Sequence, residues 1–262
     1  MKFLSGFIAI IGPPNVGKST LLNRLLGMKV AIVSPKPQTT RNRILGIYQG
    51  DGYQMVFMDT PGIHKTLTPL HESMVTSAQA TIYEVDIIAV MIEMPYPDDP
   101  DISLILSNLK KAKKTSILLI NKIDKGPKKK LLPIIDSFRK LYHFDVIIPI
   151  SALRGDGIER LLEELRSRLK PGPLFFPPDM KTDQSESFLV SEVIREKIYH
   201  YTRRELPSSS AVTVENMEEI ADKDLITISA RIHVEKNSQK AILIGNMGRM
   251  IKKIGRSSRQ EL

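Results

Sequence analysis

Eight residues near the start of the chain, Gly12-Pro13-Pro14-Asn15-Val16-Gly17-Lys18-Ser19, fit the spacing G-x-x-x-x-G-K-[ST]. The glycines let backbone N–H groups turn inward around phosphate oxygens, and a helix opening at Lys18 and Thr20 adds a favourable dipole. Lys18 suits the β and γ phosphates of a nucleotide, and the Ser19 hydroxyl suits Mg²⁺. A second group, Asp59-Thr60-Pro61-Gly62 followed by Ile63, ends an apolar run. There an aspartate can hold Mg²⁺ through a water, and the Gly62 N–H can sense a γ phosphate. A third, Asn121-Lys122-Ile123-Asp124, carries base preference. Asp124 can accept from guanine N1–H and the 2-amino group together, a pairing adenine cannot offer. Asn121 braces that loop and Lys122 covers the ring face. Ser151-Ala152-Leu153 supplies a backbone N–H for guanine O6. The later groups are weak alone, but their order behind a phosphate loop makes the set specific for a guanine nucleotide.

These groups need strand ends and helix starts to hold them, and the first 170 residues alternate short apolar runs with amphipathic stretches, as in a parallel sheet with crossover helices. Phe7–Ile11, Met55–Met58, Ile87–Ile92, Ser116–Ile120 and Val146–Ile150 read as buried strands. Arg43–Gln49 pairs with Tyr53–Asp59 through Gly50-Asp51-Gly52, a hairpin signal. Helices are expected over Lys18–Leu26, Ile102–Lys111, Leu131–Tyr142 and Ile158–Leu169. The prolines at 171, 173, 177 and 178 break all periodicity, so the domain boundary is expected there. The sequence thus divides into residues 1–170, a proline-rich linker at 171–185, and a second domain at 186–262. In the latter, Glu186–Arg204 reads as a helix, Ala211–Glu218 and Leu225–Val234 as strands, and Gln239–Ile244 and Arg249 onward as helices around a Gly245–Gly248 turn.

Charge is local rather than spread. The chain carries 38 Lys+Arg against 29 Asp+Glu, a net +9. Residues 1–170 account for 24 and 16 of these, a net +8, and the remainder for 14 and 13. Within the second part, Arg249, Lys252, Lys253, Arg256 and Arg259 face only Glu261, which makes a basic segment of +4. The runs Lys110–Lys114 and Lys125–Lys130 read as solvated helix ends and loops. No cysteine is present, which excludes disulfides, thiolate metal sites and a cysteine nucleophile. The apolar stretch Val85–Met94 is too short to span a bilayer. The run from Met1 to Ile11 enters the first motif directly, leaving no room for a signal peptide, so the cytoplasm is the expected address. The histidines at 64, 71, 143, 200 and 233 lack ligand spacing, so no metal beyond Mg²⁺ is expected, and Asp98, Asp99 and Asp101 read as a helix N-terminus.

Gly12–Ser19 taken with Gln38-Thr39-Thr40-Arg41 resembles the Era family of the translation-factor-like GTPases. The resemblance implies a P-loop NTPase G domain, an α/β fold with a mostly parallel sheet and one antiparallel edge strand, followed by an α+β KH-like domain. It implies hydrolysis of GTP to GDP and phosphate, with Lys18, Thr40, Asp59, Gly62 and Asn15 in the catalytic set. Thr40 completes the Mg²⁺ shell, with Thr39 the alternative. Ile63 stands where Ras-like proteins carry the water-orienting glutamine. Relatives with an asparagine at the place of Asn15 use it to hold K⁺ across the phosphates; an asparagine suited to a tight turn is the other reading. The segment Ala241–Gly255, containing Gly245-Asn246-Met247-Gly248, resembles a type II KH module whose G-x-x-G loop approaches a nucleic-acid backbone. Arg249, Lys252 and Lys253 would then meet phosphates, and Ile244, Met247 and Ile251 would line a groove for unstacked bases.

By resemblance the partners are GTP or GDP and the 3′ end of 16S ribosomal RNA in small-subunit assembly, with a monomer favoured and peripheral association with the inner membrane face left open. The family pattern continues past Leu262 with another strand and helix, so a KH-like domain truncated at its C-terminal end is expected. Two other readings remain: an RNA-binding scaffold that barely turns GTP over, and a GTPase of another branch acting in tRNA modification or at membranes.

Overall fold

The computed structural model describes residues 2–34, 36, 40, 43–63, 69–94, 100–203, 206–223 and 225–262. Gln38, Thr39, Arg41, His64, Asp98 and Asp99, all named above, lie outside them. The chain divides into two units, Met1–Ala31 with Pro37–Asp183, and Ile32–Lys36 with Gln184–Leu262.

The first unit is built on a sheet ordered β2-β3-β1-β4-β5-β6. Its strands are β1 (Leu4–Ile11), β2 (Ile44–Gly50), β3 (Tyr53–Asp59), β4 (Ile87–Glu93), β5 (Thr115–Asn121) and β6 (Val146–Pro149). All neighbours run parallel except the β2–β3 hairpin, so the edge strand β2 is antiparallel. The central strands are apolar on both faces because helices cover both: every residue of β3 is buried, and so is β4 up to Ile92. Helices α1 (Lys18–Leu26), α2 (Pro69–Glu84), α3 (Pro100–Ala112), α4 (Leu131–Leu141) and α5 (Ile158–Arg166) make the connections. In α1 the buried Leu21, Leu22, Leu25 and Leu26 form a helical stripe, each side chain contributing about 1.5 to 3 kcal/mol of apolar burial. In α2, which the apolar pattern did not predict, Met74, Val75, Ala78 and Ile82 supply a similar stripe amid serines and threonines.

The proline-rich segment, expected as a linker, is instead fastened to this unit as far as Asp183. Lys170–Pro171 forms β7, antiparallel to the start of β1. The buried Gln54 explains the next stretch: its Oε1 accepts from the N–H groups of Phe175 and Phe176, at 3.0 and 3.1 Å, and its Nε2 donates to the Phe176 carbonyl at 2.9 Å. Prolines cannot continue a helix, but they leave carbonyls and neighbouring N–H groups free for a buried amide to use.

The second unit contains α6 (Glu186–Tyr201), a short α7 (Leu206–Ser209), an antiparallel pair β8 (Ala211–Ile220) and β9 (Leu225–His233), and helices α8 (Asn237–Ile244) and α9 (Arg249–Arg259). Ser185 caps α6 by accepting from the Phe188 N–H at 3.3 Å. Its small core joins Ile198, Leu206, Leu243 and Ile254. Ile32–Lys36 packs here too: the Val33 N–H donates to Glu196 at 2.9 Å, and the Lys36 ammonium donates to the carbonyls of Tyr199 and Thr202.

Candidate functional site

The sheet brings the first-unit motifs to one edge, because the phosphate loop leaves β1, Asp59 ends β3, Asn121 ends β5 and Ser151 follows β6. All four are at carboxyl ends of strands, where open α/β sheets bind ligands. Gly17, at φ 105°, turns the loop into α1, and a Cβ there would lie 2.4 Å from Asn121 Nδ2. Only glycine fits that approach. The loop is closed by Asn121, whose Nδ2 donates to the Val16 carbonyl at 2.7 Å while its Oδ1 accepts from the Ala152 N–H at 2.9 Å.

Lys18 is buried and donates to the carbonyls of Gly12 and Pro13 at 3.1 and 2.9 Å. Burial pulls its pKa from 10.5 down to about 8, against the opposing pull of the Asp59 carboxylate. Beside it three oxygens converge. Ser19 Oγ lies 2.7 Å from Asp59 Oδ2 and 3.0 Å from Thr40 Oγ1, and Thr40 Oγ1 lies 3.3 Å from the same carboxylate oxygen. Burial pushes the Asp59 carboxyl up, while Lys18 and the hydrogen bonds from Ser19, Thr40 and the Thr60 N–H favour its charged form. Among the described residues Asp59 Oδ1 is buried with no hydrogen-bond partner. An orphaned carboxylate oxygen among hydroxyls is the oxygen-rich setting a hard divalent cation takes, so these residues fit Mg²⁺.

Around the rest of this site, Thr60 Oγ1 donates to the Ile10 carbonyl at 3.0 Å. Pro61 is buried beside it, and Ile63, fully buried, donates its N–H to the Gly12 carbonyl at 3.2 Å. Asn15 stands at φ 62°. Lys122, also at φ 62°, donates to the Asn15 carbonyl at 2.7 Å and pairs with Glu93. The Ile123 N–H donates to the Ile150 carbonyl at 3.3 Å. Ser151 Oγ donates to Asp124 at 2.7 Å and holds that carboxyl below the usual range, ready to accept at neutral pH. The Ala152 N–H, one of those expected from the sequence to face guanine O6, is engaged by Asn121 Oδ1.

Three residues that sequence reasoning passed over also shape the site. Glu93 anchors Lys122. Asn23 holds Val30 and Ala31 through Oδ1 at 2.9 and 3.0 Å. Arg24 reaches the carbonyls of Ala152, at 3.3 Å, and Leu153. For Asn23 and Arg24 the available signal was the polar face Thr20, Asn23, Arg24 of α1, at helical spacing; Glu93, at the end of β4, had none.

In the second unit, Gly245 at φ 70° and Gly248 at φ 74° bracket an exposed turn. A Cβ at Gly245 would lie 2.8 Å from Met250 Cβ, whereas one at Gly248 would meet only Ile251 Cγ2, at an ordinary 4.0 Å. Asn246 starts the turn and Met247 stands out from it, 84% exposed. Gly248 caps α9, which buries Ile254 and Ser258 and exposes Arg249, Lys252 and Arg256 on another face. Lys253 Nζ instead sits 4.3 Å over the Tyr201 ring, a cation–π contact. A groove of 680 Å³ runs along β9, α8 and α9, lined by Ile232, Leu243, Ile244 and Ile251 with Arg231, Lys236 and Lys240. Among the described residues no group of three His, Asp or Glu side chains could hold a metal, and no helix is long and apolar enough to cross a membrane.

Comparison with known proteins matches residues 7–122 to the family of 50S ribosome-binding GTPases and residues 205–262 to the KH domain. A GTPase Era from Syntrophus aciditrophicus (strain SB) is 52% identical over 262 residues, all of this chain and 86% of that protein. The chain belongs to the Era family of GTPases. Among solved structures, an Era variant from Aquifex aeolicus bound to GDP·AlF4⁻ matches with a TM-score of 0.93 and 41% identity, over 100% of this chain and 88% of that one. An Era in complex with MgGDPNP and nucleotides 1506–1542 of 16S ribosomal RNA matches with a TM-score of 0.94 and 41% identity, over 99% and 88%. As a member of the Era family the chain is a GTPase, with a G-domain fold followed by a KH domain.

Proposed function

We propose that the first unit binds Mg²⁺–GTP at the loop Gly12–Ser19 and hydrolyses it, while the second binds the 3′ end of 16S ribosomal RNA during small-subunit assembly in the cytoplasm. The convergence of Ser19, Thr40 and the unpartnered Asp59 oxygen carries the reading. In it, Ser19, Thr40 and Asp59 would be the residues that hold Mg²⁺. The ion supplies charge neutralisation at the β and γ phosphates. Lys18 exchanges two loop carbonyls for phosphate oxygens, the Gly62 N–H meets the γ phosphate, and the remaining loop N–H groups from Asn15 to Thr20 cradle the others, Pro13 and Pro14 having none to give. Asp124 reads guanine, with Lys122 along its ring. Ile63 carries no polar group to orient the attacking water and is fully buried, so positive charge at the phosphates has to supply more of the rate.

That deficit supports K⁺ held by Asn15. The loop conformation by itself accounts for an asparagine, since φ 62° is a setting asparagine tolerates, so the potassium role rests on Ile63. In the RNA-binding unit, Gly245–Gly248 meets the backbone and Arg249 and Lys252 neutralise phosphates, with Lys253 joining when it leaves Tyr201. The test is hydrolysis at equal ionic strength in potassium and in sodium, with Lys18→Ala as the inactive control. Faster turnover in potassium, with the difference abolished by Asn15→Ala, is expected; equal rates in the two salts remove potassium but leave Mg²⁺. In parallel, an RNA of the 16S 3′ end should bind more tightly than a scrambled one, and equal binding would contradict the RNA assignment.

A further inference from the structure

The loop Ser151-Ala152-Leu153 offers guanine O6 nothing but backbone; Ser151 and Ala152 are buried, whereas packing does little to hold its far end, where the Leu153 side chain is 65% exposed. It is gripped from two sides by hydrogen bonds. On the base side, Asn121 takes the Ala152 N–H and Asp124 takes the Ser151 hydroxyl. On the far side, Arg24 of α1 donates through Nε to the Ala152 carbonyl at 3.3 Å and through Nη2 to the Leu153 carbonyl. The Ala152 carbonyl and the Leu153 N–H belong to one rigid trans peptide plane and point opposite ways, so a cation holding the carbonyl fixes the direction of the N–H. Two adjacent carbonyls bound by one planar guanidinium fix it more tightly than a single ammonium would. A 390 Å³ cavity between α1 and the loop, lined by Thr20, Arg24, Ala152 and Leu153, leaves the loop room to swing once that grip is lost.

We propose that Arg24 is a positioning residue for guanine: from the helix that follows the phosphate loop, it aims the backbone donors offered to O6 and so sets how long the nucleotide stays bound. The proposal rests on the guanine reading of the site. Its test compares wild type, Arg24→Ala and Arg24→Lys for affinity, by competition, toward GDP, IDP and 2-aminopurine riboside diphosphate, together with GDP release and single-turnover hydrolysis. IDP keeps O6 and lacks the 2-amino group; the 2-aminopurine nucleotide keeps the amino group and lacks O6. Arg24→Ala is expected to weaken GDP and IDP by about tenfold, the scale of one charged hydrogen bond, to speed GDP release correspondingly, and to leave the 2-aminopurine nucleotide unchanged. Arg24→Lys should fall between, and hydrolysis of GTP already bound should change less than about twofold. Equal losses for all three nucleotides would reduce Arg24 to a support of the fold and overturn the proposal, as would unchanged GDP affinity in both variants. Failure of wild type to prefer GDP over the 2-aminopurine nucleotide would overturn the guanine reading itself.

Discussion

Asp124 shows what a residue's type and spacing can announce. In the proposed reading, a carboxylate kept charged by the Ser151 hydroxyl, three residues beyond β5, accepts from two guanine N–H groups at once, as a neutral amide does not. Asp124→Asn should therefore lose about 1.5 to 3 kcal/mol of GTP affinity and gain affinity for xanthosine triphosphate, measured by competition; undiminished GTP affinity would sever this loop from base recognition. Lys18 carries a pH dependence. Its charge is buried with a pKa of about 8 instead of 10.5, which costs the fold about 3 kcal/mol near neutrality. The lowered value makes the unfolded chain the better proton binder between those limits, so stability rises with pH across that window. Phosphates restore the ammonium. Nucleotide affinity is thus full near pH 7 and falls as pH rises through about 8, and calorimetry in buffers of different ionisation enthalpy should find a proton taken up on GDP binding near pH 8.5, with no uptake at pH 6.5. Arg24 was not legible at this scale because its acceptors are backbone carbonyls, which no residue type in that loop advertises.

Elements were readable where one apolar period governs them. The strands β3, β4 and β5 declare themselves as unbroken buried runs, and the hairpin turn Gly50-Asp51-Gly52 by its composition. Helix α2 did not, because its buried positions Met74, Val75, Ala78 and Ile82 are diluted by polar β-branched and small residues; packing overrides propensity there. The fastening of 171–183 was hidden for a different reason, since one buried amide, Gln54, arranges the main chain of Phe175 and Phe176 irrespective of their side chains. The turn before α9 allows a direct test. Gly248 sits at a left-handed φ that aspartate adopts at modest strain and its Cβ would meet only Ile251 Cγ2 at 4.0 Å, whereas any side chain at Gly245 collides with Met250. Gly248→Asp should therefore leave the fold and GTP affinity intact while weakening RNA binding at least tenfold, through a carboxylate set against phosphate. Each of Arg249, Lys252 and Arg256 that meets a phosphate should add about 0.7 to the slope of log affinity against log salt, and its replacement by alanine should remove that much; an unchanged slope in all three variants would take α9 out of the RNA contact.

At the scale of the whole chain, the two activities share a covalent strand. Val33 and Lys36 are held by α6 and the turn after it in the second unit, and Thr40, four residues beyond Lys36, holds hydrogen bonds to Ser19 and Asp59 in the first. In the proposed reading, a nucleotide that draws Thr40 onto Mg²⁺ acts on a segment whose other end is hydrogen-bonded to residues of the second unit. Sequence motifs named both activities but could not reveal this connection, since Ile32–Lys36 resembles any apolar-to-polar loop. If the nucleotide changes RNA affinity, RNA must change nucleotide affinity by the same factor, because the coupling is a single free energy. The decisive measurement is a titration of the 16S 3′-end RNA into the chain loaded with a non-hydrolysable GTP analogue and Mg²⁺, and again into its GDP form, at one salt concentration. The account predicts affinities differing by about fivefold or more, with the reciprocal factor recovered when GTP-analogue affinity is measured with and without RNA. Identical RNA affinities in the two nucleotide states would contradict it, leaving a GTPase and an RNA-binding module joined by a chain that transmits nothing.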